Sequence, residues 1–286
     1  MTSRLGFFRY RLGSLRRFAP GRLFVLGRLF VLGLLFGPGL AAPALAADTI
    51  ALRYEVFGLA GLHVLSLRSL IDEIGNRYAI TVDYATTGVA GLFVDVKTHA
   101  QVRGRVSQAS AQPEAFLRNT RRNGVERQAR LDYRPDGNVE GGLTPPLPKP
   151  APAGVGRGTV DNLTAYFLLE RQLARTGSCL LSVPVFDGHH RYDLYCSDAG
   201  KPTLTPTGGQ RFEGATIACR MRRQNLTTES EAEQSEGARQ GTIWYARLIP
   251  GDLMVPVRME MESQIGSVTA YLAELRGRGV DLKLME

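Results

Sequence analysis

Most of what would mark a catalyst is missing from this chain of 286 residues. It holds no G-x-S-x-G elbow, no H-E-x-x-H and no Ser-x-x-Lys, which removes the common local signatures of hydrolases and metallopeptidases. Cysteine is scarce: Cys179, Cys196 and Cys219 include no C-x-x-C pair, and with only 4 histidines a zinc centre is not expected. Three thiols allow one bridge and one leftover, and spacing does not choose among the pairings. A long apolar run is missing as well. The stretch from Leu23 to Leu40 is broken by Arg28, several glycines and Pro38, short of the ~20 residues that cross a bilayer.

Acidic residues are absent from the first 46 positions, and there the chain becomes informative. Arg4, Arg9, Arg11, Arg16, Arg17, Arg22 and Arg28 precede the apolar stretch Leu29 to Phe36, the breaker Gly37-Pro38-Gly39, and small residues around Ala44-Leu45-Ala46. This is the pattern of a secretory signal peptide over 1–46, with cleavage between Ala46 and Ala47. No cysteine stands next to the cut, so lipoprotein processing is not expected. The whole chain carries a formal charge of +8, but subtracting the seven leader arginines from 35 basic residues leaves 28 against 27 acidic ones. A nucleic-acid partner is therefore not expected, since the mature chain lacks the surplus that phosphate neutralisation requires. The address implied is the periplasm, with no transmembrane span after the leader is removed.

The remaining residues, 47–286, read as one β-rich domain. Apolar and polar residues alternate with period two over Ala51–Phe57, Leu62–Leu70, Arg77–Tyr84, Val89–Lys97, Gln101–Ser107 and Val125–Tyr133, with Gly, Asn and Asp between them. Pro113, inside Gln112–Arg118, predicts the first turn of a short helix. A proline-rich loop spans 144–158. One helix is predicted over 159–174, capped by Thr159 or Asp161 and ended by Gly177. An Asp187-Gly188 turn then joins Cys179–Phe186 to His189–Cys196 as a hairpin. Glu213–Met221 reads as a strand, and 227–241, acidic and without an apolar face, reads as a loop. Thr242–Ile249, Val255–Glu262 and Gly266–Leu275 alternate cleanly. The fold class expected is mainly β: a curved antiparallel sheet or open β-barrel-like meander of about ten or more short strands, with one packed helix at about 160–175.

Candidate chemistry is thin. Gly154-Val-Gly-Arg-Gly158 follows prolines rather than a strand and lacks the Gly-Lys-Ser/Thr ending, so it reads as a flexible loop rather than a phosphate cradle. His189 and His190 stand beside Asp187 and Asp193, yet neighbours on a strand point to opposite faces and do not share one ion. His63 and His99 have no nucleophile or orienting partner in sequence. Asn162 and Asn225 begin glycosylation-type triplets, which a bacterial-type leader makes irrelevant. No catalytic residue, metal ligand or cofactor is assigned.

Several spacings in order carry a resemblance: Tyr54-Glu-Val-Phe-Gly-Leu-Ala-Gly-Leu62, Thr87-Gly-Val89, Pro113-x-x-Phe116, Asp161-x-Leu-x-Ala165, Phe186-Asp-Gly-x-x-Arg-Tyr-Asp-Leu194, Cys219, and Pro256-Val-Arg258 followed by Gly266-Ser-Val. Together they resemble domain of unknown function family 3108, exported bacterial proteins in their alphaproteobacterial form. The most specific element is the hairpin motif, with Asp187, Gly188, Arg191, Tyr192 and Asp193. The resemblance implies a periplasmic protein of antiparallel strands without an established activity. It also implies a bridge between Cys179 and Cys219, leaving Cys196 free or as an alternative partner, and it marks 229–240 as an insertion.

The expected function is the binding of a hydrophobic or amphipathic envelope molecule, such as a lipid, on a concave sheet. The alternative is an envelope structural or protein-interaction module, using a sheet edge or the proline-rich loop. An enzyme whose site is assembled from distant strand ends comes third.

Overall fold

Period-two alternation becomes strand pairing along nearly the whole chain. The computed structural model describes residues 49–58, 61–88, 90–108, 110–226, 240–249, 253–263 and 266–286. The expected leader, with its cleavage site at Ala46 and Ala47, and most of the acidic stretch 227–241 lie outside them. Described residues from 49 onward belong to one compact unit.

Seven strands form a first meander: β1 (Thr49–Phe57), β2 (His63–Ile74), β3 (Arg77–Thr86), β4 (Val96–Val106), β5 (Ala111–Arg122), β6 (Val125–Tyr133) and β7 (Val139–Thr144). A one-turn helix α1 (Ala90–Phe93) stands before β4, and helix α2 (Asn162–Thr176) follows β7. The second half contributes β8 (Leu181–Phe186), β9 (Arg191–Asp198), β12 (Ile217–Asn225), β13 (Gln240–Ala246), β14 (Val255–Ser263), β15 (Gly266–Gly277) and β16 (Val280–Lys283). Between β9 and β12, β10 (Thr203–Leu204) and β11 (Gly214–Ala215) form a separate small ladder. The large sheet has 14 strands in the order β7-β6-β5-β4-β3-β2-β1-β15-β14-β13-β12-β9-β8, with β16 added on β15, and every pairing is antiparallel. It curves without closing. Its ends, β7 and β8, are not paired with each other.

Helix α2 fills the trough of this sheet. Asp161 caps it, accepting from the Thr164 backbone N–H at 3.0 Å and the Thr164 hydroxyl at 2.6 Å, while the Tyr78 hydroxyl stands 2.7 Å from that same hydroxyl. Gly177, at φ 66°, closes the other end in the left-handed conformation that glycine tolerates. Phe167 stacks on Tyr78 with ring centres 5.0 Å apart and joins the core of β1–β6. Leu169 and Leu173 join a second core with Val183, Leu194, Met221 and Ile243. Each such buried side chain contributes roughly 1.5–3 kcal/mol, so the helix is held as a structural plug. At its far end Arg171 pairs with Glu73 at 2.8 Å and donates to the Ser107 carbonyl at 2.9 Å.

The proline-rich segment 144–158 has neither helix nor strand after Thr144, and it packs onto this unit. Ala151 and Val155 lie against the main core, and Gly158 donates to the Gly137 carbonyl at 2.9 Å. Beyond it, Val160 extends the β8 edge, donating to the Pro184 carbonyl at 3.0 Å and accepting from the Phe186 N–H at 2.9 Å.

Four local expectations fail. Glu213–Met221 is not one strand, since Gly214–Ala215 belongs to the small ladder and β12 begins only at Ile217. Gln112–Arg118 is strand, not helix: Pro113 sits at a bulge, where the β4–β5 register slips between Arg103 and Gly104. Gly104 makes this bulge possible, because a Cβ there would lie 2.8 Å from both the Pro113 Cα and the Tyr78 ring. Val89–Lys97 is not one strand, since α1 occupies Ala90–Phe93 and pairing begins only at Val96. The hairpin turn is longer than Asp187-Gly188. It takes four residues, Asp187 to His190, and the strands meet at Phe186 and Arg191.

Candidate functional site

Strand phase places the site. On the inner face of the sheet, β5 presents Phe116 to the core, and the next positions on that face are Arg118, Thr120 and Arg122. On β6 the same face runs from Leu131 through Ala129 to Arg127 and Val125. The inner surface therefore changes from apolar to cationic along the strands. Around the N-terminal end of α2 it opens into a cleft of about 660 Å³, lined by Arg118, Arg122, Arg127, Arg223, Tyr84, Tyr192, Val125, Leu143 and Leu147 among others.

The sequence motif 187–193 forms one wall. The Asp187 carboxylate accepts from the backbone N–H groups of His189 at 3.0 Å and His190 at 2.8 Å, locking the turn. Gly188, at φ 101°, packs so closely on Ala129 that a Cβ would lie 3.2 Å from that methyl, which carries the hairpin tip across to β6 and β7. Arg191 donates to the Val155 carbonyl at 3.1 Å, and Asp193 accepts from the Tyr195 hydroxyl at 3.3 Å. Tyr192 faces the cleft with the Arg223 guanidinium 4.0 Å from its ring centre. His189 and His190 lie in the turn rather than on a strand, with ring centres 4.2 Å apart. Among the described residues no group of three or more His, Cys, Asp or Glu side chains is arranged to hold a metal ion.

The electrostatics favour an anion. Among the described residues, four arginines line the cleft against one carboxylate, Asp187. Burial opposes ionisation of Asp187, but hydrogen bonds from His190 and the charge of Arg118 outweigh it and hold the carboxyl well below its ordinary range. Asp187 is thus an anion committed to its own turn. Asn162, the first residue of α2, also lines the cleft, and its buried Oδ1 has no hydrogen-bond partner among the described residues. The positive end of the helix dipole adds to the field there.

Two other expectations can be placed. Cys179 and Cys219 are joined, with Cα atoms 5.5 Å apart, and Cys196 is a buried free thiol pushed up to about 12 by desolvation. His63 does have partners: its Nε2 lies 2.6 Å from Glu55 and its Nδ1 3.2 Å from the Thr87 hydroxyl. Arg53 and Ser66 also hold Glu55, so the carboxylate belongs to a saturated polar network on the outward face of β1 and β2. His99 pairs with Asp83 at 2.7 Å on the surface. Sequence reasoning assigned no role to the cleft arginines. The available clue was alternation continuing past Phe116 and Leu131 with arginine in place of apolar residues.

Comparison with known proteins adds the lineage. The family model described as "Protein of unknown function (DUF3108)" matches residues 53–273. The chain belongs to this family. No curated protein matches it. Among solved structures, this DUF3108 member is similar to a beta-barrel-like protein of domain of unknown function DUF1849 from Brucella abortus, with TM-score 0.47 and 11% identity over 82% of this chain and 100% of that one. It is also similar to a putative lipoprotein from Parabacteroides distasonis, with TM-score 0.32 and 12% identity over 81% of this chain and 96% of the other. Among the described residues of this family member, no helix is long and apolar enough to cross a membrane.

Proposed function

We propose that this protein is an exported binding protein for an anionic amphiphile, a molecule with a phosphate or carboxylate head and an apolar tail. The observation that carries this reading is the replacement of apolar inner-face residues by Arg118, Arg122 and Arg127 at the open end of the trough. Four guanidinium groups around one cleft create a potential that concentrates anions. Val125, Leu143 and Leu147 offer apolar contact beside the charges. A purely apolar ligand deep in the sheet has no room, because Phe167, Leu169 and Leu173 of α2 occupy that space. The periplasmic address rests on the leader over 1–46 and on the Cys179–Cys219 bridge, which suits an oxidising compartment.

Calorimetric titration with dihexanoyl-phosphatidylglycerol, against the same chain length of phosphatidylcholine, tests the reading. Binding of the anionic lipid is expected, weakened on the order of tenfold or more by Arg118→Gln with Arg127→Gln. Equal affinity for the two lipids, or an undiminished affinity in the double variant, would overturn it.

A further inference from the structure

The outward polar network of β1 and β2 contains an arrangement that neither the trough nor the cleft uses. Glu55 on β1 stands opposite Ser66 on β2, and His63 opens β2 opposite Phe57. Thr87 follows β3, and its N–H donates to the Val64 carbonyl at 3.0 Å, which holds it against the start of β2. Glu55 and Thr87 come from the stretches 54–62 and 87–89 that stand out in the sequence, and folding brings them to the two sides of one imidazole.

Hydrogen bonding fixes which nitrogen carries the proton. The Glu55 carboxylate receives the Arg53 guanidinium, the Ser66 hydroxyl at 2.5 Å and His63 Nε2 at 2.6 Å. A carboxylate only accepts, so Nε2 carries the hydrogen of the neutral imidazole. Nδ1 is then a bare lone pair, and it accepts from the Thr87 hydroxyl at 3.2 Å. The order is hydroxyl, base, orienting acid, with the first contact as long as is ordinary in a site without substrate. A hydroxyl serving only the fold would be tied to the backbone, but among the described residues that of Thr87 meets the imidazole alone. The next amide, the Gly88 N–H, meets no acceptor among the described residues, and Gly88 turns at φ 57°. An amide one residue past a nucleophile is a common oxyanion donor. Substrate can reach the imidazole, whose side chain is 37% exposed, while Phe57, with its ring 5.3 Å away, and exposed Leu62 offer apolar contact.

We propose that Thr87, His63 and Glu55 form a hydrolytic site for unhindered carboxylic esters. Thr87 Oγ1 bonds to the ester carbonyl carbon as its proton passes to His63 Nδ1, and Glu55 holds the imidazolium through Nε2–H. The Gly88 N–H takes the oxyanion. Collapse breaks the bond to the alkoxy oxygen, which leaves as the alcohol with the proton from Nδ1. Water, giving a proton to the same nitrogen, then attacks the acyl-threonine; the acid departs and Thr87 regains its proton. One oxyanion donor suits an ester, whose alkoxide leaves more readily than an amine. The proposal does not rest on anion binding in the cleft.

Hydrolysis of p-nitrophenyl butyrate by the full chain, with peptide mass spectrometry of the acylated protein, is the test. Turnover above that of free 4-methylimidazole at equal concentration is expected, with the butyryl group on Thr87. Thr87→Val and His63→Gln each lower the rate on the order of a hundredfold, and Thr87→Ser retains it. Thermal unfolding of Thr87→Val matches wild type, because the backbone bond to Val64 remains. Imidazole nitrogen-15 shifts read the role of Glu55, which is to position the base: His63 carries its proton on Nε2 in wild type, and Glu55→Gln removes that preference along with turnover. A rate no better than 4-methylimidazole, Thr87→Val as active as wild type, butyryl groups on lysines alone, or a His63 proton on Nδ1 would each overturn the proposal. None of these outcomes depends on whether dihexanoyl-phosphatidylglycerol titrates the cleft.

Discussion

Replacing Glu170 by glutamine should flatten the pH dependence of folding between about pH 6 and 8. Glu170 lies on the buried face of α2, and no hydrogen bond or ion pair reaches its carboxylate among the described residues. Desolvation, reinforced by the neighbouring Glu73 carboxylate, pushes the Glu170 carboxyl up to about 8 from 4.5. The folded chain therefore holds this proton more tightly than the unfolded chain. Its stabilising effect is complete below about pH 4.5, declines as pH rises, and is gone above about 8. Asp161, pushed by burial to about 6 against the hydrogen bonds from Thr164, acts with the same sign but over a lower range. Between about pH 6 and 8 two units remain for Glu170, which at 1.36 kcal/mol per unit amount to about 3 kcal/mol. Urea unfolding at matched ionic strength reads this directly. Wild type should lose stability across the window and Glu170→Gln should be flatter by that amount. Other groups titrate there too, so the difference between the two proteins decides. Parallel curves for wild type and variant would refute the reasoning.

Removing the Cys179–Cys219 bridge in a double alanine variant frees a loop with sequence separation 40, which corresponds to about 4 kcal/mol of lost stability in chemical denaturation. Phe167→Ala empties the stack on Tyr78 and should cost about 3–5 kcal/mol, measured as a shift in denaturant midpoint at unchanged slope. Gly104→Ala drives a methyl into the Pro113 bulge and should destabilise by about 1–3 kcal/mol; a neutral result would mean that the bulge is absent.

The architecture was largely legible because alternation and capping are local. Asp161 and Gly177 bracket α2 as read from the sequence, and the strands from Thr242 to Leu275 run where their alternation places them. Pro113 misled because a lone proline looks the same at a helix start and at a bulge. The distinction is made by Gly104 on another strand, which no local window contains. That error also hid the site. Reading Gln112–Arg118 as helix loses the strand phase that sets Arg118 and Arg122 on the same face as Phe116. Arg127 and Arg223 reach the same cleft only through the β5–β6 pairing and the curl that brings the Asp187–His190 turn against Ala129. The motif at 187–193 was visible, but its role as a wall depends on those distant contacts.

The central claim is that the arginine-lined cleft holds an anionic head. Side-chain Nε–Hε resonances of arginine, followed during titration with dihexanoyl-phosphatidylglycerol, test it most directly. Shifts confined to Arg118, Arg122, Arg127 and Arg223, saturating together and absent with phosphatidylcholine, are the expected result. Unmoved cleft arginines, or shifts spread equally over surface arginines such as Arg105 and Arg276, would contradict it.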